Sequence, residues 1–414
     1  MVMACGSNTS SPTQSSLPDV AKSSLTYNAN PSVTTATQQA VNNDLNDFGL
    51  KVLQNLAPSD QNFSTSPVSG FIALTLTAEG AQGITADEMK AVLYPDVAVS
   101  DIQAATNQLE QGVKANARPL TADQQVVVNL ANDVFVQKGL TLEQPFLDNL
   151  MMNYNSGVEL VDFQADSSAA TTEIDNWVAS ETNNLIPKLI PPGALDSMTR
   201  LVLVNALYLN ASWLTVFDAK KTAPQVFHGT SDASVDFMNA SLALNYATGA
   251  GWAGVDIPYY GGSLVMTAIL PDVGQFDTVK ASLNAAWFSS FDTAAQQEQV
   301  GLALPKFNLT GSTVSWKQTL QALGMTTLFE SSCNLNGITQ QEQLYVDDVL
   351  QQVYVAVAEK GTEAAAATAV IIRDMSVDLP PPVTMTLNRP FLFFVREKGG
   401  PILFAGQIVS LKTS

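Results

Sequence analysis

The sequence predicts one large α+β domain, and three observations carry that prediction. Helical and strand-like apolar patterns follow one another in irregular order, as in folds where helices and antiparallel sheet are mixed. Two long runs, residues 126–136 and 201–209, are rich in large and β-branched residues, the composition of strands covered on both faces at the centre of a sheet. Between residues 36 and 414 there is no internal repeat and no low-complexity linker at which to divide the chain.

Taken in order, the chain begins with Val2, Met3, Ala4, Cys5, Gly6 and Ser7, a stretch resembling the end of a bacterial lipoprotein signal with Cys5 as the lipidated residue. Residues 6–35 are rich in Ser, Thr, Asn and Pro and have little to bury, so residues 1–35 are expected to form a disordered tether and residues 36–414 the folded body. Val41, Leu45, Phe48, Val52 and Leu56 fall at three- and four-residue steps, one apolar stripe on a helix. Ser66 can cap a second helix with Pro67 at its first position. Phe71, Ile72, Leu74 and Leu76 make that helix apolar nearly all round, which predicts burial. Thr85 and Glu88 have the spacing of a capping box and predict a third helix start. Further on, Ile174, Trp177 and Val178 mark a helix, and residues 264–270, 302–304 and 353–357 mark strands. Residues 391–395 and 402–409 flank Lys398, Gly399, Gly400 and Pro401, a hairpin signal.

Composition excludes several functions. A formal charge of -19 with scattered Lys and Arg repels nucleic acid, heparin-like polyanions and acidic membranes, which bind through clustered cations. Cys5 and Cys333 are the two cysteines and His228 the one histidine, so no disulfide framework, zinc site or redox motif is expected, and no metal or cofactor. His228 sits at a strand end and reads as structural, and Cys333 as an ordinary cysteine in a polar loop. No GxSxG, HExxH, Walker or dinucleotide motif is present, which argues against an enzyme. No apolar run reaches the roughly eighteen residues of a membrane span. Asn-x-Ser/Thr triplets at Asn8, Asn62, Asn210, Asn239 and Asn308 are read mainly as chance in an Asn- and Ser-rich chain, Asn210 being a poor acceptor at the end of a core strand.

Residues 359–382 fit no ordinary element. Glu359, Lys360, Gly361, Thr362 and Glu363 lead into Ala364, Ala365, Ala366 and Ala367, and the segment ends at Pro380, Pro381 and Pro382. Alanine favours a helix, but no apolar stripe at helical spacing gives one a face to dock. Alternate residues Thr362, Ala364, Ala366, Thr368, Val370 and Ile372 are small or apolar, while the other set includes Glu363 and Arg373. That is a strand pattern, and it directly follows the run 353–357, beside which it can double back. Small side chains suit a strand that must pass between two closed neighbours, and the gain from such insertion can be held in reserve until the loop is cut.

Residues 359–366 resemble the hinge of inhibitory serpins. Supporting likenesses run in order from about residue 36 to 411: residues 63–69, residues 205–213 with Phe217 and Asp218, residues 304–307, residues 320–325, residues 388–391 and residues 404–406. The resemblance, taken with the lipoprotein-like start, is to a bacterial inhibitory member. It implies a fold of three sheets and eight or nine helices with an exposed reactive loop at about 359–389, in a metastable native state. It also implies suicide inhibition: a target serine protease attacks the loop, an acyl-enzyme forms, and the cut loop enters the central sheet.

Counted as in the family, sixteen residues on from Glu359 places the scissile bond between Met375 and Ser376, suiting elastase-, chymotrypsin- or subtilisin-like pockets. Cleavage after Arg373 would point to a trypsin-like target, and after Asp374 to an aspartate-directed one. Ser66, Ser69 and Asn205 match the family's sheet-opening cluster, with Gln351 where a histidine is common; its amide can both donate and accept but does not titrate. Trp213 matches the tryptophan at the upper end of the sheet. A monomer at the cell surface, in the periplasm or outside the cell is expected, with the protease as covalent partner. The rival reading within the family is a non-inhibitory binding or chaperone protein, against which the small hinge residues speak.

Overall fold

The computed structural model describes residues 17–121, 124–310, 313–362 and 383–413. The first half of the chain supplies β1 (Asp19–Ala21), α1 (Thr35–Leu56), β2 (Phe63–Thr65), α2 (Pro67–Ala78), α3 (Gly83–Leu93), α4 (Ile102–Lys114), β3 (Arg118–Thr121), β4 (Gln124–Gln137), α5 (Gln144–Tyr154), β5 (Val158–Val161), α6 (Phe163–Glu181) and β6 (Leu201–Ser212). Then come β7 (Ala223–His228), β8 (Asp232–Gly249), β9 (Trp252–Pro258), β10 (Leu264–Pro271), α7 (Phe276–Ser282), α8 (Ala285–Ala294), β11 (Gln296–Pro305), β12 (Phe307–Thr310), β13 (Val314–Ser315) and α9 (Lys317–Leu323). The last elements are β14 (Val349–Gln351), β15 (Tyr354–Ala358), β16 (Gly361–Thr362), β17 (Val383–Thr386), β18 (Phe391–Glu397) and β19 (Ile402–Ile408).

Local chemistry explains the helices that frame the site. Thr34 caps α1 by accepting from the Thr37 amide at 3.1 Å, and Val41, Leu45, Phe48 and Val52 form its buried stripe. Ser66 caps α2 through the Ser69 amide, Pro67 opens the helix, and every residue from Pro67 to Thr77 is buried. The expected capping box is not one. α3 starts at Gly83, held at φ +57°, and its Gln82 cap makes no side-chain bond. Thr85 and Glu88 serve a distant segment instead: Glu88 accepts from the Thr326 and Thr327 amides and Thr85 from the Asn334 amide.

Ten strands form the main sheet, along the path β1-β5-β4-β6-β16-β15-β12 with β3, β13 and β14 attached. β4 and β6 pair antiparallel over eleven residues at its centre, from Val126 opposite Ala211 to Val136 opposite Leu201. A second network of nine strands divides into two sheets that share β8, whose residues 237–246 pair with β11 and residues 245–249 with β9. Three sheets and, among the described residues, nine α-helices therefore make up an α+β fold. α2 lies in the core, packed on α1, β4, β6 and β19.

Residues 17–33, read from composition as part of a tether, are seated on this body. β1 pairs antiparallel with β5 at the edge of the main sheet. The Asn28 amide donates to the Met152 carbonyl at 2.9 Å, and Asn107 donates to the Asn28 carbonyl while accepting from the Tyr27 hydroxyl. Main-chain and amide hydrogen bonds hold this stretch, a means of ordering that needs few apolar side chains. Residues 1–16, with Cys5, lie outside the described residues.

Candidate functional site

The site is the junction between β6 and the strands that follow it on its free edge. Near its start β6 is closed by β14, which runs parallel to it with Leu203 opposite Val349 and Asn205 opposite Gln351. At its far end the neighbour changes. β15 leads up to Glu359 and Lys360, the chain turns, and β16 comes back down between β15 and β6. Gly361 pairs with Ala358 on one side and Ser212 on the other, and Thr362 with Val357 and Ala211. The strand alternation read in the sequence thus begins as a strand, with Thr362 buried. Glycine is required at 361: its φ is +152°, and a Cβ there would lie 2.0 Å from the Ala211 carbonyl oxygen.

Trp213, directly after β6, locks the turn. Its amide donates to the Lys360 carbonyl at 2.8 Å and its indole N–H to the Ala358 carbonyl at 2.9 Å. Its ring is stacked on Tyr259, with centroids 4.5 Å apart and planes 13° from parallel. The Tyr259 hydroxyl in turn lies 2.6 Å from the Thr362 hydroxyl. Burial raises the Tyr259 phenol well above its ordinary range, against the opposing pull of the Thr362 bond, so it stays protonated and able to donate. Glu359 accepts from the Thr222 hydroxyl at 2.9 Å and pairs with Lys306 at 3.2 Å. Burial opposes its ionisation, but bonds from its own backbone, Thr222 and Lys306 together hold its carboxyl below the usual value.

Gln351 is buried and bonded to Thr65, Ser66 and Asn205. Its Oε1 accepts from the Thr65 hydroxyl at 2.7 Å and the Ser66 amide at 2.8 Å, and its Nε2 donates to the Ser66 carbonyl and to Asn205 Oδ1. One amide therefore ties the start of α2 to both strands of the seam between β14 and β6. Ser69 stands one step away: its hydroxyl bonds Asn132 on β4 at 2.6 Å, and its amide reaches the Ser66 hydroxyl.

Thr65, Asn132, Thr222, Tyr259 and Lys306 complete the site; Thr65 and Lys306 fall in the family-like stretches 63–69 and 304–307, and Asn132, Thr222 and Tyr259 have no local sequence signal that would have picked them out. Glu363, Ala364, Ala365, Ala366, Ala367, Arg373, Met375 and Ser376 lie outside the described residues. His228 ends β7 on the surface, its Nδ1 3.0 Å from Asp232. Among the described residues no group of three or more His, Cys, Asp and Glu side chains converges as a metal site, and no helix is long and apolar enough to cross a membrane.

A family profile described as Serpin (serine protease inhibitor) matches residues 43–411. Among curated proteins the chain is 31% identical to a serpin-like protein of Thermococcus kodakarensis, over 91% of this chain and 87% of that one. It is also 31% identical to the leukocyte elastase inhibitor of Xenopus tropicalis, over 88% of this chain and 96% of that one. Among solved structures, the native state of the thermophilic serpin Tengpin superposes with a TM-score of 0.84 at 24% identity, covering 96% of this chain and 100% of that one. Serpin48 of Tenebrio molitor gives a TM-score of 0.79 at 27% identity, covering 92% of this chain and 100% of that one.

Proposed function

Because the chain belongs to the serpin family, we propose that it is an inhibitor and not a catalyst, capturing a serine protease through residues 359–389. The observation that carries this reading is β16: two residues of the hinge, Gly361 and Thr362, are already paired between β6 and β15, at the mouth of the slot that a cut loop would fill. A protease serine attacks the carbonyl of Met375 and forms an acyl-enzyme, freeing Ser376. The loop then extends β16 downward between β6 and β14, and sixteen residues at about 3.3 Å each carry the protease on the order of 50 Å. Deacylation fails once the protease is pulled out of shape.

Methionine at the bait position favours an elastase-, chymotrypsin- or subtilisin-like target, and the relative named as a leukocyte elastase inhibitor supports that choice. Arg373 supplies the second reading, a trypsin-like target. The lipoprotein-like start supports a bacterial member acting outside the cytoplasm and anchored through Cys5. Incubation with elastase, chymotrypsin, subtilisin and trypsin tests the inhibitory role and the bait bond: an SDS-stable complex is expected, together with a released peptide that begins at Ser376. Cleavage by every protease without a complex would instead identify a non-inhibitory member.

A further inference from the structure

We infer that Tyr259 is a positioning residue that latches the uncut hinge one step inside the main sheet, and thereby sets how often cleavage ends in capture rather than release. Four observations meet there. Gly361 and Thr362 are paired on both edges in the intact chain, so β6 and β15 are already parted at this end. Below them β14 still closes on β6. The Thr362 side chain is buried, and its hydroxyl is 2.6 Å from that of Tyr259. Tyr259 cannot move away easily, being wholly buried, stacked on Trp213, and bridged to it through the backbone.

The physical consequence concerns a race. After cleavage, insertion must outrun hydrolysis of the acyl bond, and its slowest part is the first parting of two paired strands, which breaks hydrogen bonds before any new ones form. At Gly361 and Thr362 that parting precedes cleavage, so insertion continues an existing strand and has next to open the seam between β14 and β6. The hydroxyl pair biases the hinge toward the seated position, because withdrawing Thr362 leaves the buried phenol without this partner. Removing one hydroxyl strands the other, whereas removing both leaves an apolar contact; the two single changes should therefore be worse than the double one.

The effect on capture rests on the proposed inhibitory role, while the latch itself does not, and the test separates them. Amide hydrogen exchange of the uncleaved full chain reads the latch without any protease. Gly361 and Thr362 should be protected, and Tyr259→Phe should speed their exchange by about tenfold. The Tyr259→Phe/Thr362→Val double variant should return most of that protection. With elastase, the number of inhibitor molecules consumed per protease captured should rise roughly fivefold for Tyr259→Phe and fall back in the double variant. Unprotected amides in the unmodified chain, or equal exchange in the single and double variants, would overturn the latch. A faster exchange with unchanged consumption would overturn its link to capture. Should no protease be captured while the exchange pattern holds, the latch stands and the inhibitory reading fails.

Discussion

Truncating Gln351 to alanine should loosen the seam between β14 and β6, which the proposed insertion would open. The side chain makes four hydrogen bonds in a site where Ser66 and Asn205 are 0% exposed and Gln351 itself 2%. The Ser66 carbonyl keeps a bond from the Gly70 amide. The Thr65 hydroxyl, the Ser66 amide and the Asn205 Oδ1 lose the partner described here. At about 1–1.5 kcal/mol for each buried group left unpaired, Gln351→Ala should cost roughly 3–5 kcal/mol, moderated where water enters the space. Urea unfolding followed by tryptophan fluorescence would show this as an earlier first transition of the uncleaved protein. Gln351→His should recover much of the loss and add a dependence on pH between about 5 and 7 that the glutamine lacks. A Gln351→Ala protein within about 1 kcal/mol of the parent would refute the view that this amide holds α2, β6 and β14 together.

Two further outcomes follow from buried titratable groups. Burial pushes Glu79 up to about 7, against hydrogen bonds from Gln103 and Tyr154 that favour its charged form; with a folded pKa above the unfolded one, the stability it contributes is full below about pH 4.5 and disappears as pH rises through 7. Denaturant unfolding at pH 5 and pH 8 should therefore differ by on the order of 3 kcal/mol from this residue, and Glu79→Gln should flatten the difference; a slope unchanged in that variant would contradict it. Burial likewise raises the Cys333 thiol to about 11, so in a Cys5→Ser background a disulfide reagent at pH 8 should label the urea-unfolded chain and not the native one.

What could be read from the sequence was whatever is decided locally. Ser66 and Pro67 mark the start of α2 because a cap needs only neighbours, and the apolar runs mark β4 and β6, which are covered on both faces at residues 133–137 and 201–205 but alternate toward the hinge end, where Val127 is exposed. Of the small-residue alternation after Glu359, Thr362 is the one described residue, and it is paired as a strand in β16; the rest of that run lies outside the described residues. Thr85 and Glu88 misled because a segment more than two hundred residues away takes the hydrogen bonds a capping box would use. β1 escaped notice because pairing to a sheet edge is made by backbone atoms, which leave no mark on composition. Gln351 was found through family likeness and Tyr259 by neither route; Lys306 falls in the family-like stretch 304–307, but its pairing with Glu359, like Tyr259's bond to Thr362, is made only when the closed sheets bring distant parts of the chain together.

The direction of β1 decides how the molecule stands on whatever holds it. Asp19 lies opposite Leu160, where β4 is ending and β6 beginning, while Gly361 lies opposite Ser212 at the other pole. Eleven residues of β6 at about 3.3 Å each set the two poles roughly 36 Å apart. Residue 17, the first described residue, therefore joins the body at the foot of the sheet, and Gly361 and Thr362 sit at its opposite pole.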